Sequence, residues 1–426
     1  MKILLIGSGG REHAIAWKLA QDNRIEKIFC APGNGGTALE NKCENVEIKT
    51  KDFDGLAKFA KSQNVYMTVV GPEDPLAEGI VDFFEKENLK IFGPQKEAAR
   101  IEASKSFCKE VMVTAGIPTA FYEKFEDFES AKNFVMKKGV PIVVKADGLA
   151  AGKGVTVANT IEEAVVALKE IFIDKVFGSA GNTIVIEEFL KGEEASFLAF
   201  TDGETVIPMV STQDHKAVYD GDKGPNTGGM GAYSPAPVMT EELYNYSLNN
   251  IAYPLVNELK RRGITYKGII YAGLMIDGSE AKVLEFNCRF GDPETQPILS
   301  RLESNLIDIF DSCIEGTLHK TRIEWSKEPA ICVVMASGGY PKDYQKGHEI
   351  IGITDAESIK GVKVFHAGTV LKDGKILTSG GRVLGVTARG NTLMETIKIA
   401  YEAVDKIHFN NSHFRKDIAQ KALRRM

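Results

Sequence analysis

Short apolar runs alternate with longer amphipathic stretches from Lys2 to about Pro94. The runs have the length and composition of strands, and the stretches have helical periodicity. The predicted strands are KILLIG, KIFCAPG, MTVVGPE and KIFGP, and the predicted helices cover 11–21, 54–61 and 78–87. This alternation predicts a doubly wound parallel sheet, which binds ligands beyond the carboxyl ends of its strands. Glycine- and proline-rich segments stand at those ends, at 7–10, 31–36, 71–74 and 93–94.

The pattern changes beyond the first sheet. Residues 96–116 predict one helix, which ends at Gly116 ahead of Pro118. Strands VPIVVKA, GVTVA and TIVIEEFL with a helix at 161–171 predict a small α+β unit. Further strands then mix with long helices at 241–262 and 296–314, and the chain ends in paired strands with helices at 393–407 and 417–425.

We therefore predict a multidomain protein of α/β and α+β class. An N-terminal Rossmann-like domain over 1–120 holds the doubly wound parallel sheet. A small unit with a glycine-rich flap covers 121–192, and a larger α+β unit covers 193–327. A mixed α+β C-terminal domain covers 328–426.

Composition narrows the class of protein. Of 426 residues, 43% are hydrophobic and 26% charged, which excludes disordered and fibrous proteins. The net charge of −6 argues against a nucleic-acid partner, because a phosphate polymer requires a basic surface. The six cysteines form no Cys-x-x-Cys pair, and no apolar stretch is long enough for a membrane span. We expect a cytoplasmic protein without a membrane partner.

The segment GSGGREHA follows a strand and opens a helix, so Gly9 and Gly10 can present backbone N–H groups to an anion. The third glycine of a dinucleotide fingerprint is replaced by Glu12, and the next strand ends without an acid for a ribose. Two interpretations of this turn are possible, an anion or sugar-phosphate site and a purely structural turn. NAD binding is the interpretation that the pattern favours least.

The loop at 147–154, DGLAAGKG, joins two predicted strands, whereas a phosphate-binding P-loop joins a strand to a helix. A glycine-rich flap over phosphates fits this context. Lys145 stands at the end of the preceding strand, and a compact ammonium suits a phosphate. The alternative for Lys145 is a solvated edge residue.

The strand end TIVIEEFLKGEE can offer backbone groups to an adenine edge and acids to ribose hydroxyls; its alternative is a solvated acidic turn. In KVLEFNCRFGDPETQ, alternation places Glu285 and Asn287 on one face, and these hard oxygen ligands suit Mg²⁺ held with phosphates. Arg289 continues that face as a fork for a carboxylate or a phosphoryl group. The alternative is an amphipathic edge strand.

The stretch 211–235 is long, polar and glycine-rich, which is typical of functional loops. It offers Asp214, His215 and Lys216 on one side and the Asn-Thr-Gly-Gly-Met-Gly segment at 226–231 on the other. A structural role for His215 remains open, because no second histidine stands at a metal-ligand spacing.

Taken in order, Lys105 on a helix, Lys145 before the flap, the acidic strand end and Glu285-x-Asn287-x-Arg289 resemble the ATP-grasp ligases. More narrowly, the motifs GSGGREHA, KADGLAAGKG, GPNTGGMGAYSP and RFGDPETQ resemble the glycinamide ribonucleotide synthetase (phosphoribosylamine-glycine ligase) family of purine biosynthesis, over essentially the whole chain. The resemblance implies that 1–120 is a pre-ATP-grasp domain, and that 121–192 and 193–327 are the flap and catalytic subdomains of an ATP-grasp fold.

The resemblance also implies a reaction. ATP, with Mg²⁺ or Mn²⁺, would phosphorylate glycine to glycyl phosphate, and the amine of 5-phosphoribosylamine would displace phosphate to give glycinamide ribonucleotide and ADP. The expected partners are these small molecules, and the expected state is a monomer.

The resemblance assigns site residues by position in this sequence. Lys105 and Lys145 would hold ATP phosphates, Glu187 the adenine amino group, the backbone of Glu188 and Leu190 the adenine ring, and Glu194 the ribose. The ATP-binding set is Lys105, Lys145, Gly152, Lys153, Gly154, Glu187, Glu188, Phe189, Leu190 and Glu194. The substrate-binding set is Gly9, Gly10, Asp214, His215, Lys216, Asn226, Thr227, Gly228, Gly229, Met230, Arg289, Asp292 and Pro293. Glu285 and Asn287 would bind the metal, and Arg289, Lys145 and Asp214 would be catalytic.

Two rival functions remain at this point. One is a related carboxylate-amine or carboxylation ligase of the same architecture, which only RFGDPETQ and GPNTGGMG argue against. The other is a nicotinamide-dependent oxidoreductase built on the N-terminal sheet, which Glu12 argues against.

Overall fold

A computed structural model describes residues 1–149 and 154–425. The strands are β1 (Lys2–Gly7), β2 (Lys27–Pro32), β3 (Cys43–Asn45), β4 (Met67–Val70), β5 (Ile91–Phe92), β6 (Tyr122–Phe125), β7 (Ile142–Ala146), β8 (Val155–Ala158), β9 (Ile184–Glu188), β10 (Glu193–Thr201), β11 (Val206–Pro208), β12 (Gln213–Asp214), β13 (Ala217–Tyr219), β14 (Lys223–Asn226), β15 (Gly231–Ser234), β16 (Gly268–Asp277), β17 (Glu280–Asn287), β18 (Ala330–Ser337), β19 (Val362–His366), β20 (Thr369–Lys372), β21 (Lys375–Thr378), β22 (Arg382–Arg389) and β23 (Ser412–His413).

Helices connect these strands. They are α1 (Gly10–Ala20), α2 (Phe53–Ser62), α3 (Glu73–Glu78), α4 (Ile80–Lys86), α5 (Lys96–Ala103), α6 (Lys105–Thr114), α7 (Phe128–Lys138), α8 (Ile161–Phe172), α9 (Glu241–Ser247), α10 (Tyr253–Arg261), α11 (Thr295–Arg301), α12 (Leu306–Glu315), α13 (Ile353–Glu357), α14 (Leu393–Val404) and α15 (Gln420–Leu423). One π turn, Leu248–Ala252, joins α9 to α10, so the helix predicted at 241–262 is essentially continuous.

The N-terminal sheet has the order β3-β2-β1-β4-β5, and every pair in it is parallel. Its central strands β1 and β4 are buried on both faces, as the continuous apolar runs predict. The predicted doubly wound sheet is therefore confirmed, and α1 begins directly after the glycine turn that follows β1.

Two predicted long helices are wrong, because each is broken by a residue in extended conformation. The helix predicted at 96–116 stops at Ser104 (ψ 111°), whose hydroxyl accepts the N–H of Phe107 and caps the next helix. The helix predicted at 296–314 stops at Leu302 (ψ 124°). The apolar periodicity continues across both breaks, so periodicity alone did not reveal them. The last predicted helix, 417–425, is reduced to α15.

Two antiparallel sheets follow the N-terminal sheet. The smaller one has the order β6-β9-β7-β8 and packs against α7 and α8 around its own apolar core. The larger one has the order β11-β10-β16-β17. The glycine-rich loop joins β7 to β8, which are antiparallel neighbours, as its strand-to-strand context predicts.

A third sheet, of order β12-β15-β18-β22-β19, contains strands from both sides of the division predicted at 327/328. Tyr233 of β15 faces Ile331 of β18 in the ladder. The four-domain division stays a prediction, and this boundary separates strands that share one sheet. Among the described residues, no helix is long and apolar enough to cross a bilayer.

Arg415 ties the C-terminal segment to the hairpin of β13 and β14. Its side chain is fully buried, pairs with Asp222 at 3.0 Å and Asp417 at 2.7 Å, and donates to the Ala217 carbonyl at 3.1 Å. Because Arg415 is buried and its loss leaves two partly exposed carboxylates unpaired, we expect Arg415→Leu to lower the free energy of unfolding by about 2 to 3 kcal/mol. Urea denaturation followed by circular dichroism measures this change.

The matched control is Arg322→Leu, since Arg322 is 89% exposed and pairs only with Glu324. An exposed pair of this kind contributes less than about 1 kcal/mol. Equal losses in the two variants would contradict the structural role of Arg415.

Candidate active site

Lys145 of β7 lies where the small sheet meets the larger one. Its ammonium pairs with Glu187 Oε1 at 2.9 Å and donates to the Leu284 carbonyl of β17 at 3.3 Å. Lys109 of α6 pairs with the other carboxylate oxygen of Glu187 at 3.0 Å. Lys109 is missing from the predicted site, because one lysine on an amphipathic helix looks like a solvated residue. Two ammonium groups thus share one carboxylate, which leaves an excess positive charge at this point.

Lys105 lies beside the same group, at the first position of α6. Its ammonium donates to the Gly148 carbonyl at 3.1 Å, where the glycine-rich loop begins. Burial lowers the pKa of Lys105, and the nearby charge of Lys145 acts in the same direction, whereas Glu285 raises it. Lys105, Lys145 and Glu285, which were predicted to bind phosphates or metal, are therefore close enough to interact electrostatically.

The predicted adenine segment joins β9 to β10. Glu188 N–H donates to the Phe121 carbonyl at 3.0 Å, so this N–H is engaged within the protein. Within 1–149 and 154–425, no residue hydrogen-bonds to the backbone of Leu190. Leu190 is therefore the better placed of the two for an adenine edge. Phe189 is 37% exposed beside it.

Glu285 and Asn287 share one face of β17, as alternation predicts. The β16 ladder places Asn287 opposite Tyr271 and Glu285 opposite Gly273, and the β10 ladder places Gly273 opposite Ser196. Directly opposed residues of antiparallel strands point to the same face. Ser196, Tyr271, Glu285 and Asn287 therefore form one polar face, and Glu285 is its exposed member.

Arg289 follows β17 and is held by two carboxylates. Its guanidinium pairs with Glu73 at 3.1 Å and with Glu102 at 2.8 Å, and donates to Asn287 Oδ1 at 3.5 Å. Burial raises the pKa of Glu73, but the charges of Arg289 and Arg11 outweigh it and lower the pKa to about 2. Glu73 and Glu102 come from α3 and α5, so the first domain fixes the arginine that the RFGDPETQ motif supplies.

The buried Asp214 pairs with the half-buried Lys216 at 2.8 Å, and the Lys216 ammonium lies 3.9 Å from Glu194. Both line a cavity of about 640 Å³ with His215, Asn226 and other residues. His215 is 1% exposed, and neither ring nitrogen has a hydrogen-bond partner in the described chain. Burial lowers the pKa of His215 to about 4, so its imidazole is neutral at physiological pH.

The glycine turn after β1 lies against the RFGDPETQ segment. A Cβ on Gly10 would lie 2.7 Å from Gln296 Nε2, and one on Gly9 would lie 3.6 Å from Asp292 Oδ2. The Gly9 N–H donates to Glu12 Oε2 at 2.6 Å. Glu12, the residue that breaks the dinucleotide fingerprint, therefore occupies one of the N–H groups predicted to face an anion.

Arg382 of β22 joins this turn region to the loop at 226–231. It donates to the carbonyls of Gly228 at 2.5 Å and Asp292 at 2.6 Å, and pairs with the Asp292 carboxylate at 3.0 Å. A Cβ on Gly229 would lie 2.4 Å from Pro293 Cδ, so only glycine permits this approach. Arg382 is missing from the predicted site, since no local pattern connects it to residues 90 or more positions away.

The structure thus brings most of the predicted residues together. The two lysines, the predicted metal pair and Arg289 lie around one junction, and the glycine turn, Asp292, Pro293 and the 226–231 loop lie around Arg382. Gly152 and Lys153 lie outside the described residues. The neighbouring Gly154 carbonyl accepts the Ala146 N–H at 2.8 Å. Four participants were not predicted: Glu73, Glu102, Lys109 and Arg382.

Comparison with models of known protein families shows which family the chain belongs to. The chain matches all three domain models of phosphoribosylglycinamide synthetase: the N domain over 1–102, the ATP-grasp (A) domain over 103–295 and the C domain over 330–421. The chain belongs to the phosphoribosylglycinamide synthetase family. The oxidoreductase and the other-ligase rivals are thereby set aside.

Individual relatives agree. A phosphoribosylamine–glycine ligase of Pseudomonas aeruginosa is 53% identical over 426 residues, which are 100% of this chain and 99% of the relative. A crystal structure of phosphoribosylamine–glycine ligase from Thermotoga maritima superposes with a TM-score of 0.80 at 32% identity, over 98% of this chain and 100% of that one. A biotin carboxylase from Campylobacter jejuni has a TM-score of 0.74 at 14% identity, over 99% of this chain and 95% of that one, a likeness of fold alone.

These matches establish the reaction class. The chain is a ligase that makes glycinamide ribonucleotide from phosphoribosylamine and glycine in purine biosynthesis. Its central domain is an ATP-grasp domain, and enzymes of that fold use ATP with a divalent metal ion.

Lys109→Met tests the shared carboxylate. Without Lys109, the whole charge of Glu187 falls on Lys145 and weakens its pull on a phosphate. We expect the KM for ATP to rise roughly fivefold, the effect of about 1 kcal/mol, while the KM for glycine stays unchanged. Steady-state kinetics with each substrate varied in turn measures both constants.

Lys124→Met is the control, because Lys124 lies on β6 of the small sheet, is half-exposed and pairs only with Glu126. An unchanged KM for ATP in Lys109→Met would show that Lys109 does not act through Lys145.

Proposed function

We propose that the ligation proceeds through glycyl phosphate. A glycine carboxylate oxygen attacks the γ-phosphorus of ATP, and the bond to the β–γ bridging oxygen breaks to release ADP. The amine nitrogen of phosphoribosylamine then attacks the acyl carbon, loses a proton, and phosphate leaves. Phosphoryl transfer of this kind depends on positioning and charge neutralisation more than on covalent help from the protein.

The observation that carries this proposal is the contact of Lys145 with the Leu284 carbonyl, at 3.3 Å. Leu284 directly precedes Glu285, so the lysine next to the flap lies beside the predicted metal pair. Lys105 adds a second cation at the same place. Two cations and two oxygen ligands at one junction are what a γ-phosphoryl group with its metal ion requires.

The donor set fits a divalent cation held together with phosphates. Glu285 is exposed and has no ion-pair or hydrogen-bond partner in the described chain, and Asn287 offers its amide oxygen on the same face. Among the described residues, no three His, Cys, Asp or Glu side chains converge as a protein-only metal site. We assign Mg²⁺ or Mn²⁺ to Glu285 and Asn287, where the cation would neutralise phosphate charge. Arg289, fixed by Glu73 and Glu102, stabilises the transferring phosphoryl group or orients the glycine carboxylate.

ATP then lies along the junction of the two central sheets. Lys105 and Lys145 face its phosphates, the flap residues Gly152, Lys153 and Gly154 are assigned to phosphate binding by the family motif alone, and Glu194 accepts from its ribose hydroxyls. The adenine edge meets the Glu188–Leu190 segment, with Phe189 beside it. Each Glu187 oxygen keeps a second lone pair besides its ion pair, and the adenine amino group would use one of these.

Phosphoribosylamine approaches from the N-terminal domain. Its phosphate or ribose meets the Gly9–Gly10 turn. The Gly9 N–H already donates to Glu12, so the ligand would accept from the N–H groups that follow Gly9 at the start of α1. Asp292 and Pro293 with the loop Asn226, Thr227, Gly228, Gly229 and Met230 close that pocket. Asp214, His215 and Lys216 line a neighbouring cavity with Asn226, and we assign them to the same substrate. We further propose that the enzyme works as a monomer in the cytoplasm.

The direct test is ADP release from ATP and Mg²⁺ with glycine and phosphoribosylamine generated in the assay. Release is expected to require both substrates and to fail when alanine replaces glycine. Glycinamide ribonucleotide, identified by mass spectrometry, should form in the same amount as ADP. Turnover that is indifferent to either substrate would overturn the proposal.

Glu285→Ala tests the metal assignment. The variant should lose metal-dependent turnover by more than about 100-fold, because a ligand that meets charge in the transition state is removed. Its melting temperature should stay within about 2 °C of the parent's, since the exposed carboxylate has no partner to strand. Activity assays and calorimetry measure the two quantities.

Glu280→Ala is the matched control, an exposed glutamate at the far end of the same strand. It should leave turnover unchanged. Parental activity in Glu285→Ala would remove the metal assignment.

A further inference from the structure

The first residue of the glycine-rich loop holds the start of α6. The Asp147 carboxylate accepts the Ser106 N–H at 2.5 Å and the Ser104 hydroxyl at 3.2 Å. The Asp147 carbonyl accepts the Lys105 N–H at 3.0 Å. The Ser104 hydroxyl in turn accepts the Phe107 N–H at 3.2 Å. The first N–H groups of a helix have no partner within the helix, and here Asp147 and Ser104 supply those partners.

Asp147 thereby connects the two lysines that the proposed function places at the ATP phosphates. Lys145 stands two residues before Asp147, in β7, and Lys105 is the first residue of α6. The Lys105 ammonium adds a contact with the Gly148 carbonyl at 3.1 Å. That contact is lost when the ammonium turns to a phosphate, whereas the contacts of Asp147 with the backbone of α6 persist.

The other side of the break between α5 and α6 is fixed as well. Glu102, in the last turn of α5, accepts the Cys288 N–H at 2.7 Å and pairs with Arg289 at 2.8 Å. The segment 102–106 is therefore tied to the end of β17 at one end and to Asp147 at the other. A displacement of about 1 Å in such a segment can reduce activity by as much as 100-fold, because charged groups act only in the correct geometry.

We propose that Asp147 is a positioning residue that fixes Lys105 relative to Lys145, so that both ammonium groups reach the phosphates of ATP. Asp147 acts through the backbone of α6 and does not touch the nucleotide, since both of its carboxylate oxygens accept from the start of that helix. The positive end of the helix dipole offsets its charge there. This assignment rests on the proposed function, because it requires Lys105 and Lys145 to bind the phosphates.

Three substitutions of Asp147 separate its position from its charge. Asp147→Ala removes the acceptor oxygens and should raise the KM for ATP roughly 5- to 20-fold, with the KM for glycine unchanged. Asp147→Asn keeps an oxygen for the Ser106 N–H and should stay within about twofold of the parent. Asp147→Glu keeps the charge but displaces the helix, so it should raise the KM for ATP. Steady-state kinetics with each substrate varied in turn measures these constants.

The Asn and Glu variants carry the test if Asp147→Ala does not fold. The reverse pattern, with parental kinetics in Asp147→Glu and a raised KM for ATP in Asp147→Asn, would mean that the charge of Asp147 matters and not its position. That result would overturn the proposal. A weaker requirement for Mn²⁺ binding is not expected in any variant, and a loss of Mn²⁺ affinity at an unchanged KM for ATP would make Asp147 a metal ligand instead.

A double-mutant cycle tests whether Asp147 acts through Lys105. Lys105→Met removes the ammonium that Asp147 is proposed to position. Adding Asp147→Ala to Lys105→Met should then raise the KM for ATP no further, because residues that act through one another are not additive. A second rise as large as the one in Asp147→Ala alone would show that Asp147 acts independently of Lys105, and the proposal would be wrong.

Asp127→Ala is the matched control. Asp127 caps α7 in the same small unit by accepting the Ser130 N–H at 2.8 Å. Both alanine variants lose a helix cap and should melt a few degrees below the parent, but only Asp147→Ala should raise the KM for ATP. Equal melting temperatures with parental KM values in both variants would reduce Asp147 to a helix cap.

Failure of the proposed function gives a different result. If Lys105→Met by itself leaves the KM for ATP unchanged, Lys105 does not bind the phosphates, whatever the Asp147 variants do. If Lys105→Met raises the KM for ATP and Asp147→Ala does not, only the assignment of Asp147 falls.

Discussion

The register of three antiparallel strands is the constraint on which the active site depends. Strands β10, β16 and β17 are paired so that Ser196, Tyr271, Glu285 and Asn287 share one face. A slip of one residue in β17 would turn Glu285 and Asn287, the predicted metal ligands, to the opposite face, where the apolar core lies. The buried residues Val283 and Phe286 of the same strand oppose such a slip, because they would be moved out of that core.

Other parts of the chain complete this face with charges that lie far away in sequence. The first domain supplies Glu73 and Glu102 to fix Arg289, and the last sheet supplies Arg382 to fix Asp292. The small sheet supplies Lys145, with Lys109 sharing its carboxylate partner. Each of these buried or half-buried charges is paired, which is why it persists without water. Charged groups held in this way would need little rearrangement if charge developed on a phosphoryl group beside them.

The sequence predicted the features that depend on local pattern. Alternating apolar and polar runs gave the parallel N-terminal sheet, and alternation within β17 gave the pairing of Glu285 with Asn287. The sequence did not predict features produced by tertiary contact. From the sequence, Lys109 resembles a surface residue, and only the structure places Glu187 beside it. At Ser104 and Leu302 the helix ends, although the apolar periodicity of the sequence continues past both residues. Glu294 lies inside the recognised RFGDPETQ motif, yet only the structure shows that the hydroxyls of Ser196 and Tyr271 donate to it.

The most direct test of this account is the anomalous scattering of Mn²⁺ in crystals grown with glycine and a non-hydrolysable ATP analogue. The register of β17 predicts a manganese peak within coordination distance of an oxygen of Glu285 and of the amide oxygen of Asn287, beside the phosphates of the nucleotide. A peak on the nucleotide that contacts neither side chain would contradict the claim that this sheet face assembles the site.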